Sequence, residues 1–272
     1  MPTFDQLEVS RYSGSPYYLY RFDGGPGLQW AYTSSETPEV LDGVTYQPIP
    51  IAHESIVATG GEDKTALRVR TSSLCEVADE FLVWPPSSII EVSIYLAHVG
   101  AADRKVAWVG RLSGVTWEGD AVTLTVEPSA ASLRNPGLRR HYQLGCPHVL
   151  YGPHCKATKV PATVQPLGFL TGRWVLLPTG WHGARTAASF AGGFAEWTAG
   201  RAELRQILRA QADRILLGGS LFGLTTASVM SLLPGCARTM ESCRVVHNNI
   251  ANFGGMPFIP VKNPFGFDSN FY

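Results

Sequence analysis

Glu203-Leu204-Arg205-Gln206-Ile207-Leu208-Arg209-Ala210-Gln211-Ala212-Asp213-Arg214-Ile215-Leu216 is the stretch on which the fold of the second half turns. Its apolar residues at 204, 207, 208 and 215 have a helical spacing. The surroundings point the other way. Residues 192–197 before it and 218–222 after it combine glycines with aromatic and aliphatic residues, as short strands around turns do. Periodicity gives a helix, the neighbours give strands, and the residues alone leave both open.

Outward from that stretch, the chain is punctuated by glycine and proline about every ten residues, and the segments between favour β-branched and aromatic side chains. Residues 17–22 and 27–33 read as strands joined by Asp23-Gly24-Gly25-Pro26, a turn rich in backbone-permissive residues. Asp42-Gly43 marks a second hairpin. Residues 67–71 and 90–96 alternate apolar and polar residues. Residues 106–112 and 115–126 continue a meander that turns at Glu118-Gly119-Asp120 and stops at Pro128. Residues 130–140 have the composition of a short helix or linker. The expected architecture is mainly β: an N-terminal β-rich domain over 1–140, a smaller C-terminal β domain over 141–260 and an aromatic tail over 261–272.

At 272 residues the chain can hold two domains, each with its own core. Lysine plus arginine equals aspartate plus glutamate at 22 each, and no basic run is interleaved with aromatics, so nucleic acid is not an expected partner. No apolar run is long enough for a membrane-spanning helix. The 7 Trp, 10 Tyr and 12 Phe suit a surface engaged with other proteins, and the rings between Asn252 and Tyr272 suit an arm packed on another subunit.

Four of the five cysteines form two close pairs, Cys146/Cys155 (C-x8-C) and Cys236/Cys243 (C-x6-C). Proline and glycine stand in and beside both segments, giving each the means to hold a set turn. The pattern suggests one four-thiolate metal site. Disulfides are disfavoured, because residues 1–6 show neither the basic nor the apolar region of a secretory signal. Zinc suits any closed four-cysteine site, although ordinary zinc modules space their paired cysteines more closely. An iron-sulfur cluster suits the same donors. Cys75 reads as an unrelated buried cysteine. His148 and His154 fall inside the first segment, where hydrogen bonding or packing is favoured over direct ligation. With no H-E-x-x-H, no G-x-S-x-G and no glycine-rich nucleotide motif, no enzyme class is indicated and no catalytic residue is nominated.

Three segments carry a family resemblance. Residues 115–119 leading to Glu127-Pro128, then residues 138–143 running into Cys146-Pro147-His148-Val149-Leu150-Tyr151-Gly152-Pro153, resemble the centre of the phage tail-tip and baseplate-hub family. Residues 235–243 with 252–260 resemble its C-terminal signature. The family occurs in long-tailed phages and gene transfer agents, and its members are similar to the tail-tip protein L of lambda-like phages. The resemblance implies that residues 203–216 are strands, and that Cys146, Cys155, Cys236 and Cys243 ligate a [4Fe-4S] cluster. It also implies a homotrimeric hub or ring between the distal tail protein and the central tail-tip protein, made in the host cytoplasm and placed at the virion tail tip. His154 departs from the glycine often found there in relatives, and the residues after Pro260 lie outside the shared signature.

Overall fold

Burial alternates residue by residue over residues 202–208 of Ala202–Ala210, and the stretch is a strand, followed by a second at Arg214–Leu217. Ile207 faces inward at 0% exposure, while Leu204 and Leu208 face out at 44% and 45%. The inward positions beside Ile207 are charged. Glu203 is 2% exposed and Arg205 5%, and Glu203 holds Arg201 Nε at 2.5 Å and Arg205 Nη2 at 2.9 Å. The helical spacing of the leucines is therefore coincidental. The buried face carries an ion network, which hydropathy does not register as a core.

The structure is a computed structural model that describes residues 3–56, 66–82, 84–101, 103–134, 137 and 142–259. It divides into two compact units, Met1–Pro136 and Gly137–Tyr272. The aromatic tail over 261–272 lies outside the described residues.

The first unit opens with a short helix α1 (Phe4–Glu8). There follow β1 (Pro16–Asp23), β2 (Gln29–Thr33), β3 (Glu39–Leu41), β4 (Val44–Pro48), β5 (Ile51–His53), β6 (Leu67–Ser72), a helical turn α2 (Glu76–Asp79), β7 (Glu91–His98), β8 (Arg104–Glu118) and β9 (Ala121–Pro128). Asp42 and Gly43 have φ of 50° and 77°, the pair of positive values of a type I′ hairpin between β3 and β4. The strands form one nine-stranded sheet in the order β3-β4-β2-β1-β7-β8-β9-β6-β5. β4 stands next to one rim and β5 is the opposite rim, yet only Ile49 and Pro50 separate them, a reach of ~11 Å at most. The sheet must therefore roll on itself. Its inward residues, among them Tyr20, Phe22, Val69, Ile94 and Leu124, make one core, in which Cys75 is fully buried.

The second unit contains β10 (Ala162–Val164), β11 (Gly168–Leu170), β12 (Trp174–Leu176), β13 (Phe194–Thr198), β14 (Ala202–Ala210), β15 (Arg214–Leu217), β16 (Met230–Leu233) and the helix α3 (Met240–Val245). Residues 218–222, where a strand was expected, turn instead. The order β10-β16-β13-β14-β15-β12-β11 makes β10 and β11 the two rims, although they are consecutive and separated by three residues. This sheet also rolls. A register shift between Ile207 and Arg209 in β14 lies where pairing passes from β13 to β15, and such bulges bend a strand. Phe190, Trp197, Ile207, Ile215 and Met230 belong to the core inside.

Candidate metal centre

β16 leads directly into Pro234-Gly235-Cys236, and glycines make that exit possible. A Cβ on Gly235 would stand 1.9 Å from the Ala191 carbonyl oxygen, and one on Gly193 2.0 Å from that of Leu233. Only glycine permits so close a crossing. The Gly235 amide then donates to the Ser189 carbonyl (2.8 Å). Cys243 sits on α3, a helical turn where the sequence suggested only a loop, capped by the Thr239 hydroxyl, which accepts from the Ser242 amide at 3.2 Å. The other segment, 146–155, contains neither regular helix nor strand and is held by contacts to the second.

Those contacts are numerous. The Cys146 amide donates to the Arg238 carbonyl at 2.8 Å, and the Tyr151 hydroxyl to the Pro234 carbonyl at 2.7 Å. His148 donates from Nδ1 to the Asn252 carbonyl at 3.1 Å, and its buried Nε2 has no hydrogen-bond partner among the described residues. His247 donates from Nε2 to the Gly235 carbonyl at 2.9 Å. Four described non-glycine residues in or beside the cysteine segments adopt positive φ: Tyr151 (60°), Lys156 (53°), Arg238 (60°) and Asn248 (46°). Such backbone costs energy and gathers at functional sites.

Cys146, Cys155, Cys236 and Cys243 all line one cavity of about 140 Å³, together with His148, His247, Asn249 and Asn252. All five cysteines of the chain are free thiols. Cys75 belongs to the other unit's core, where burial pushes its thiol up to about 11. Among the described residues, no set of three or more His, Cys, Asp or Glu side chains is gathered as a ready-made single-ion site. The four sulfurs ring a space instead of meeting at a point.

Backbone amides approach two of the sulfurs: Arg238 donates to Cys236 Sγ at 3.3 Å and Gly254 to Cys146 Sγ at 3.4 Å. Asn249 Nδ2 stands 3.8 Å from Cys155 Sγ. The Cys243 thiol is raised, first by burial and then by the negative charge that Cys236, Cys146 and Cys155 would carry as thiolates. Four neighbouring thiolates repel one another unless a cation sits among them. Soft sulfur donors with amide hydrogens aimed at them fit zinc or an iron-sulfur cluster.

His154 is exposed, with its ring 5.7 Å from that of His148. His141 lies outside the described residues. Sequence reasoning did not single out His247, Asn249 or Asn252. Their signal was the polar triplet His247-Asn248-Asn249, with Asn252 three residues on, close behind the last cysteine, where amides and carbonyls can brace a loop.

Residues 188–263 match the model of a family described as "Phage conserved hypothetical protein BR0599". That span includes Cys236 and Cys243 but not Cys146 or Cys155. No curated protein matches the sequence. Among solved structures, a chain of the virion of a native gene transfer agent particle is similar, with a TM-score of 0.72 and 19% identity over 94% of this chain and 91% of that one. At that identity the likeness is one of fold.

Proposed function

We propose that this chain is a structural virion protein: a baseplate hub or tail-tip ring that joins the distal tail protein to the central tail-tip protein. Cys146, Cys155, Cys236 and Cys243 hold a [4Fe-4S] cluster in its second unit. The observation that carries the virion role is the fold shared along 94% of the chain with a gene transfer agent virion chain. The phage family model over residues 188–263 leans the same way.

The staple is supported by the cavity. A single zinc ion at ~2.3 Å from four sulfurs would draw them into near contact. Here the four cysteines border a void of about 140 Å³, which leaves room for a polynuclear core. When bound, such a core supplies four covalent links between segments about eighty residues apart. Its binding energy counts toward folding, because the unfolded chain has no gathered set of ligands. The role is mechanical, with no catalytic residue assigned.

Anaerobic purification, with iron, zinc and acid-labile sulfide analysis and a mass measurement of the assembled species, tests the reading. A brown protein absorbing near ~400 nm, with equal iron and sulfide, is expected, in a particle of three chains. Stoichiometric zinc in a colourless protein would replace the cluster with a zinc staple. A monomer that neither assembles nor binds tail proteins would overturn the hub.

A further inference from the structure

Asn249 touches a cysteine of each pair, as the Arg238 backbone does, and it alone among the described residues in hydrogen-bond contact with both pairs does so with its side chain. Its Nδ2 donates to the Cys155 carbonyl at 2.5 Å and stands 3.8 Å from Cys155 Sγ. Its backbone amide donates to the Cys243 carbonyl at 3.0 Å, and its carbonyl accepts from the Cys243 thiol at 3.2 Å. The amide plane is fixed from behind, because Asn252 Nδ2 donates to Asn249 Oδ1 at 2.6 Å. The Asn252 carbonyl in turn receives His148 Nδ1, which returns the chain of bonds to the first cysteine segment. With Oδ1 committed to Asn252, the donor end of Asn249 has one orientation, toward Cys155.

We propose that Asn249 is a positioning residue of the metal centre, holding Cys155 against the Cys243 helix and presenting an amide hydrogen to the Cys155 sulfur. The inference rests on the metal-centre reading above. It asks something separate: which side chain sets the fourth ligand. Cys146 and Cys236 each have a backbone amide on their sulfur, whereas the donor beside Cys155 is a side chain. Backbone donors survive any substitution except proline; the Ser242 hydroxyl at 3.9 Å from Cys236 Sγ is backed by such a donor, so among the described contacts the Cys155 corner is one that a single side-chain change can open. The thiol proton that Cys243 gives to the Asn249 carbonyl is the proton released on ligation. The bond that replaces it is to the centre itself, and Asn249 remains tied to Cys243 through its amide.

Asn249→Asp keeps the shape and puts a carboxylate where the donor stood, facing both the carbonyl and the sulfur of Cys155. In the full-length, anaerobically purified holoprotein, this variant is expected to release metal to an excess of chelator about 10- to 100-fold faster, the usual cost of losing an outer partner of a ligand. For an iron-sulfur centre, its midpoint potential falls below wild type, because added negative charge and a lost hydrogen bond both oppose reduction. A role confined to folding would not move the potential of the molecules that fold. Wild-type release and potential in the variant overturn the inference. Should Asn249→Asp be insoluble, Asn252→Ala carries the test, since it frees Asn249 Oδ1 without touching a cysteine: faster release supports the proposal and an unchanged rate overturns it. The two readings fail separately. Zinc in the wild type removes the cluster, and the same chelation assay on zinc still decides for or against Asn249. A wild type holding neither metal removes both.

Discussion

Cys236 stands where a crowded glycine crossing hands the chain from sheet to the candidate metal site, so its sulfur cannot be replaced by a neighbour. Cys236→Ser is expected to abolish colour and lower solubility together. A colourless variant that stays soluble and assembles would remove the structural role of the centre. Cys75 is the internal control. Its thiol, pushed up to about 11 by burial, has about one molecule in a thousand ionised at pH 8. In the native protein it is expected to resist alkylation at that pH and to react only after unfolding, as intact-mass measurement would read. Rapid native labelling of Cys75 would contradict its place in the core.

Between β14 and a helix the choice was physical, and it can be read back by mutation. On a strand Glu203 is inside and Leu204 outside, so Glu203→Ala leaves two buried guanidinium groups facing each other and is expected to cost about 3–5 kcal/mol of the second unit's stability. Leu204→Ala, at 44% exposure, is expected to stay within about 0.5 kcal/mol. Denaturant unfolding monitored on both variants checks the contrast, and the reverse ranking would restore the helix. Legibility in the sequence followed the same line. Asp42-Gly43 and the β1–β2 turn were readable because few residues other than glycine, asparagine and aspartate suit the positive-φ backbone such turns require. The alternation in β6 and β7 was readable because each buries one apolar face. β14 was not, since partner arginines hide a carboxylate that hydropathy assigns to solvent. α3 is too short to show a period. The cysteine spacing marked the donor segments. The brace of Asn249, Asn252 and His148 stayed invisible, because hydrogen bonds between residues about a hundred positions apart leave no local pattern.

At the scale of the molecule, every described contact that shapes the candidate metal centre lies inside the second unit, which has its own apolar core. A fragment spanning 137–272 is therefore expected to bind the same metal per chain as the full protein. Metal analysis of that fragment checks it, and a folded but metal-free fragment would show that the first unit is required. The rolled sheet adds a consequence of another kind. Its two outermost ribbons, β10 and β11, hang from one three-residue connector, so neither can peel away while the other stays zipped. Fraying from a margin, the usual first step when a flat sheet comes apart, has no independent starting place here. The unit is built to let go all at once or not at all.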